Sequence, residues 1–446
     1  MSDTLRYPQT KLLLRDLNYD YPVIERSAGS FLYDRDGKDY IDASGGAFVT
    51  SVGHSNREVL TDMQRHQASV AYVNGMHFLS ASSIELAEKI LSEAPAGFGR
   101  VTFLNSGSEA VEAAIKLCQQ IRVERGQSKK YKVVARDPGY HGNTLFALSA
   151  SARPLYRKYF GPLLAEIPMC EAPYEYRSAT GSWDAKAAEY YFKNFVEVVE
   201  KEGVETVSTF ILETISGSSL GGTPPPPGYL KLVQDYCRAH DILLIADEVA
   251  CGAGRTGKYF ASAHFDFSPD VIVMGKAVNG GYAPLSCVVV KQNLVDEIFK
   301  GSGSYVHAQT YIQSPICAAA GLAVYDHIKK HQLVKNVERQ GERLLTKLRE
   351  LAQRSEHVGF VTGRGLFAGV ELVEDKKTKK PFDRKNKVAE NMHRKGMQNG
   401  IVLWPHKGQV DGERGDLVMI APPFNVSDAE VDMIVNRLEK TIQEIG

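Results

Sequence analysis

The amino-acid sequence predicts an α/β protein: a largely parallel sheet covered on both faces by helices, joined to a second, smaller α+β unit. Three observations carry that expectation. Six short strand candidates lie between residues 101 and 290, with helical segments between most of them, the arrangement that puts crossover helices on both faces of a parallel sheet. After about residue 315 the pattern changes to long helices and then to strands again. The chain's 446 residues also exceed what one ordinary core encloses, so two or more domains are expected.

Taken in order, residues 1–60 read as an arm followed by a small strand-rich piece. FLYDRDGKDYID (31–42) carries a hairpin signal, with Asp36-Gly37 as the turn. SSIELAEKILSEA reads as a helix opened by a capping box from Ser82 to Glu85. The strand candidates are VTFL (101–104), KVVAR (132–136), TFILE (209–213), ILLIAD (242–247), VIVMG (271–275) and CVVV (287–290). ICAAAGLAVYDHIKK and the run from Leu333 to Glu356 then read as long helices, and GLFAGVEL (365–372) and DLVMIAPPF (416–424) as strands. The basic run 375–387 reads as a solvated loop, because acidic residues interrupt it.

Composition excludes several functions. Lys plus Arg equals Asp plus Glu at 53 each, so no global field draws the chain to nucleic acid or to an anionic membrane. The six cysteines are scattered, with no CxxC pair and no metal spacing, which points to unpaired thiols in a reducing, cytoplasmic setting. The N-terminus lacks the apolar core of a signal peptide, and no apolar run approaches membrane-spanning length.

Chemistry is suggested first by a lysine. Lys276 follows the apolar run Val271–Met274 by one glycine, and lysine is among the residues least often buried. Asp247 ends another such run, ILLIAD, and ligands of open parallel sheets bind beyond the carboxyl ends of the strands. The pair could face a common ligand or form a structural salt bridge. NSGSEAVEAAIKLC (105–118) places Ser106, Gly107 and Ser108 at a helix N-terminus, where free amides and the helix dipole attract an anion such as phosphate; an ordinary serine cap is the alternative. GAGRTG (252–257) matches the dinucleotide fingerprint only formally, since no strand immediately precedes it and no helix follows. It is expected to shape one pocket wall. PGYHGNT (138–144) offers Tyr140 and His141, and the tyrosine could stack on a planar ring or anchor the loop.

These pieces, with YIDASGG (40–46), VGHSN (52–56), the glutamate-led TPPPPGYL region (213–230), ADEVACGAGRTGKYF (246–260) and GKAVNGGYAPLS (275–286), occur in the order of the class III, fold-type I, pyridoxal-phosphate-dependent aminotransferases, which the sequence resembles over nearly its whole length. The resemblance implies a seven-stranded, mainly parallel sheet in a large cofactor-binding domain (61–324). It also implies a small α+β domain built from both termini (part of 1–60, with 325–446). Lys276 would hold the aldehyde of pyridoxal 5'-phosphate as a Schiff base and shuttle the substrate proton. Asp247 would pair with the pyridine nitrogen, and Ser106, Gly107 and Ser108 would hold the phosphate. Tyr140 and Val249 would pack on the two ring faces, with His141 and Glu213 as further cofactor-binding residues; Thr214 stands where the family usually has proline. Thr310 would reach the phosphate of the neighbouring subunit, which implies a homodimer with shared sites, alone or paired into a tetramer.

ERGDLVMIAPPF resembles the amine:pyruvate and ω-amino acid:pyruvate branch, with Arg414 as carboxylate clamp, Arg364 as its competitor and Phe48 as a further substrate contact. The substrates expected are a small-molecule amino donor, an ω-amino acid or amine, and a keto-acid acceptor, pyruvate before 2-oxoglutarate. Amino-acid epimerisation with the same lysine, a catalytically silent binding protein and a nicotinamide dehydrogenase are the alternatives.

Overall fold

The computed structural model describes residues 4–445; residues 1–3 of the expected N-terminal arm, and Gly446, lie outside the described residues. The central sheet has seven strands. In spatial order these are Met169–Glu171, Lys132–Asp137, Val207–Glu213, Leu243–Asp247, Val271–Met274, Ser286–Lys291 and Phe98–Leu104. Ser286–Lys291 alone runs against the rest, pairing antiparallel with both its neighbours. Every residue of Val207–Glu213, Leu243–Asp247 and Val271–Met274 is buried, as continuous apolar runs in a sheet covered on both faces require. All six strand candidates are present. The seventh, Met169–Glu171, is a three-residue edge strand without an apolar run to betray it.

Two four-stranded sheets and a two-stranded antiparallel pair, Thr4–Leu5 with Tyr21–Pro22, complete the architecture. One four-stranded sheet is antiparallel, in the order Val358–Gly363, Ala368–Leu372, Asp416–Ile420, Trp404–Lys407. The other takes the hairpin Phe31–Asp34/Asp39–Asp42 and pairs it in parallel with Ile401–Val402, so residues from opposite ends of the chain share one sheet. The long helices run from Pro315 to Lys330 and from Leu333 to Arg354.

One cap differs from the expectation. The helix Ala81–Glu93 is capped by Ser80, whose hydroxyl accepts from the Ser83 amide at 3.2 Å; Ser82 lies inside the first turn and donates to the Pro315 carbonyl. Three serines in four residues can each cap, and packing against the Pro315 turn selects the first.

Candidate active site

Sheet register brings the reactive groups together. Asp247 sits opposite Glu213 on one side and Val273 on the other, so two carboxylates leave neighbouring strand ends side by side. Lys276 follows three residues beyond Val273, on a short turn where its backbone takes a left-handed φ of 48°. A non-glycine residue held there marks strain that the surroundings must support. Its amine lies 4.9 Å from the centre of the Phe48 ring. Phe48 has a φ of 67°, is 2% exposed, and is wedged against Phe367 and Trp404, each at 5.5 Å between ring centres.

Burial lowers the Lys276 pKa below its ordinary value; the Asp247 and Glu213 carboxylates oppose that, and the Arg153 charge adds to it. Asp247 accepts at Oδ2 from His141 Nδ1 at 2.7 Å and at Oδ1 from the Val249 amide at 3.0 Å. A carboxylate only accepts, so Nδ1 carries the proton, and the buried Nε2 of His141 has no partner. Glu213 accepts from the Gly217 amide at 2.8 Å.

Across the pocket, Phe98–Leu104 delivers the helix Gly107–Glu124. Ser106 is its N-cap, in a capping box with Glu109, so the ordinary cap role is real. The amides of Gly107 and Ser108 have no intrahelical partner at such a start. Gly107 and Ser108 line the same pocket as Tyr140, His141, Asp247 and Lys276, whereas Ser106 does not. Val249 packs so closely on Gly107 that a Cβ there would lie 2.7 Å from its Cγ1.

Other expected residues lie elsewhere. The 252–257 loop does not line the pocket: it stands behind, where the fully buried Arg255 donates to the carbonyls of Thr50 and Pro422 and ties the Phe48 segment down. Arg364 lines a separate cavity with Trp183 and Phe360, its guanidinium carbon 5.9 Å from the Phe265 ring. Thr310 is exposed and outside its own chain's pocket; its carbonyl accepts from Tyr72. Arg414 is 55% exposed and bound to Asp411 at 2.6 Å.

One residue escaped sequence reasoning altogether. Arg153 donates through Nη2 to Ser218 Oγ at 2.7 Å, and its guanidinium carbon lies 5.0 Å from the Tyr140 ring centre. Ser218 and Tyr140 both line the pocket. Nη1 rests 2.8 Å from Nε2 of His406, an imidazole that burial pushes well below its ordinary pKa. A lone arginine in SASARPLY carries no motif, so only tertiary structure reveals it.

The chain matches the family described as Aminotransferase class-III over residues 16–442. It is 35% identical to the uncharacterized aminotransferase YodT of Bacillus subtilis, over 97% of this chain and 98% of that protein. It is 32% identical to the taurine–pyruvate aminotransferase of Bilophila wadsworthia, over 97% of this chain and 94% of that one. Among solved structures, a thermostable omega transaminase six-fold mutant from Pseudomonas jessenii superposes with a TM-score of 0.91 at 30% identity, covering 98% of this chain and 97% of its own.

Proposed function

Because this chain belongs to the class-III aminotransferases, enzymes that use pyridoxal 5'-phosphate with small-molecule amino donors and keto acids, we propose that it transfers an amino group from an ω-amino acid or amine to pyruvate. The observation that carries this reading is the convergence of Lys276 and Asp247 from adjacent strand ends on the helix start at Gly107. The pocket fits the cofactor chemically. No Cβ would fit between Gly107 and Val249, so the backbone there can approach a flat ring and its phosphate closely. When bound, the cofactor supplies an aldehyde for the amino group and an electron-withdrawing protonated ring.

The chain's own residues do the rest. Asp247, fixed by His141 and the Val249 amide, offers a localised negative charge to a pyridine N–H. The desolvated Lys276 amine is more readily neutral, and at Nζ it can take a proton from the substrate carbon and return one. Gly107 and Ser108 amides would hold the phosphate and Tyr140 and Val249 would cover the ring faces, while the strained Phe48 ring lies beside the Lys276 amine. Arg414, exposed on a glycine-rich loop that touches Pro154 through Gly412, is the mobile clamp for the keto-acid carboxylate.

Thr310 completes the site of a second copy in a homodimer. Supporting this, it lies outside its own pocket beside two exposed aromatic side chains, Tyr72 and Tyr311. The six cysteines are unpaired and buried, in keeping with a cytoplasmic setting. No described helix is long and apolar enough to cross a membrane.

A donor-by-acceptor screen of the purified holoenzyme tests the reading, with chiral analysis of unconsumed amino acid. Amino transfer to pyruvate from ω-amino donors is expected. Racemisation or epimerisation without net transfer would refute it.

A further inference from the structure

We propose that Arg153 is a fixed anchor for an acidic group on the amino donor, so that the pocket selects ω-amino carboxylates or amino sulfonates over acid-free amines. This rests on the aminotransferase reading above.

The argument begins with a charge that lacks a counter-ion. Among the described residues Arg153 forms no ion pair, and its Nε is buried without a partner. Its hydrogen bonds go to a serine hydroxyl and to an imidazole that burial keeps neutral, and the ring of Tyr140 lies beside it. Glu213 acts on it only through space. Arg153 is half-buried, but its Nε is wholly out of solvent, and a cation held this way by neutral groups is costly until an anion arrives.

Its position says where that anion comes from. Arg153 does not itself line the pocket that contains Lys276 but stands directly behind it, held by Ser218 and Tyr140, which do. The planar fork suits a carboxylate or sulfonate, which share its complementary oxygen geometry. Arg414 contrasts on each point: it is exposed, already paired with Asp411, and on the glycine-rich loop that the reading above makes a mobile clamp. A retractable arginine tolerates an apolar tail. A fixed one penalises it. Gly412 of the Arg414 loop lies against Pro154, next to Arg153, so the two arginines can serve the two half-reactions, Arg153 for the donor's distal acid and Arg414 for the keto acid.

The test follows the first half-reaction of the holoenzyme through cofactor absorbance, with β-alanine, taurine and n-propylamine as donors and no acceptor. The wild type should prefer both acidic donors to propylamine. Arg153→Met should cut the ratio of kcat/KM for β-alanine over propylamine by roughly 10- to 100-fold, mainly through KM, as expected for losing a charge-assisted contact. Arg153→Lys, with the charge but without the fork, should fall between. Propionate, which has the acid but no amine, should inhibit the wild type competitively with β-alanine, a readout independent of whether either variant folds. An unmoved ratio in a folded Arg153→Met, or no inhibition by propionate, overturns the assignment of Arg153 while leaving the aminotransferase reading intact. Transfer from none of the donors overturns both.

Discussion

Gly107→Ala adds one methyl group where the helix start meets the pocket. Two effects oppose each other. Alanine lowers the entropy of the unfolded chain and favours the helix, worth about 0.4–1 kcal/mol. Against it, the new Cβ would lie 2.7 Å from Val249 Cγ1 and 3.2 Å from Cγ2, whereas carbon–carbon contacts settle near ~3.5–4.0 Å. Val249 is β-branched and stiff at χ1, so it cannot rotate away freely. Overpacking of this kind costs about 1–3 kcal/mol. Strain therefore wins by roughly 1–2 kcal/mol.

Part of that strain can be relieved by pushing Val249 into the pocket it lines, which transfers the cost to cofactor binding. Titration of apoenzyme with pyridoxal 5'-phosphate should show an affinity about 5- to 30-fold weaker, the factor that 1–2 kcal/mol represents. Apoenzyme melting should fall by a few degrees or stay level, depending on how the strain divides. Adding Val249→Ala removes the obstructing methyls and should restore much of the affinity, a coupling that a double-mutant cycle isolates. Unchanged affinity with a raised melting temperature in the single variant would refute the close approach of Gly107 and Val249.

Lys276→Ala should fold and still bind the cofactor but lose turnover and the lysine-dependent visible absorbance; full activity would sink the mechanism. Asp247→Asn should retain cofactor yet turn over on the order of a hundredfold more slowly, because an amide cannot balance a pyridinium charge. A near-normal rate would leave Asp247 structural. Burial, with help from Arg364, pulls the His264 pKa down to about 4. The unfolded chain, whose histidine titrates near the ordinary 6.5, then binds more protons between those values, so stability is full above pH 6.5 and is lost as pH falls towards 4. His264→Gln should flatten that limb of melting temperature against pH, and an unaltered slope would count against it. Arg414→Ala should weaken pyruvate binding while sparing the donor half-reaction; equal damage to both would exclude a mobile clamp.

The sheet was legible because its strands are short apolar runs with helical spacers, and fully buried strands leave that trace directly. Asp247, Lys276 and the Gly107 helix start were legible for the same reason, since each follows such a run. Met169–Glu171 was not, because an edge strand of three residues needs no apolar pattern. The cap at Ser80 rather than Ser82 depended on a tertiary contact with Pro315. The 252–257 glycines suggested a pocket wall, but the physically decisive residue there is Arg255, which binds backbone carbonyls from distant segments. Arg153 was illegible because its partners, Ser218 and His406, are 65 and 253 residues away.

The reversed strand Ser286–Lys291 has a consequence for biosynthesis. It is the last of the seven to leave the ribosome, yet it lies between the first, Phe98–Leu104, and Val271–Met274. Ser286 Oγ also donates to the Ser106 carbonyl, joining this strand to the helix start across the pocket. Until residue 291 has emerged, the Gly107 side and the Lys276 side have no strand joining them. Contacts that far apart in sequence close slowly. A ligand can stabilise only a site that already exists, so added cofactor should protect a nascent chain from proteolysis only after that strand is in place.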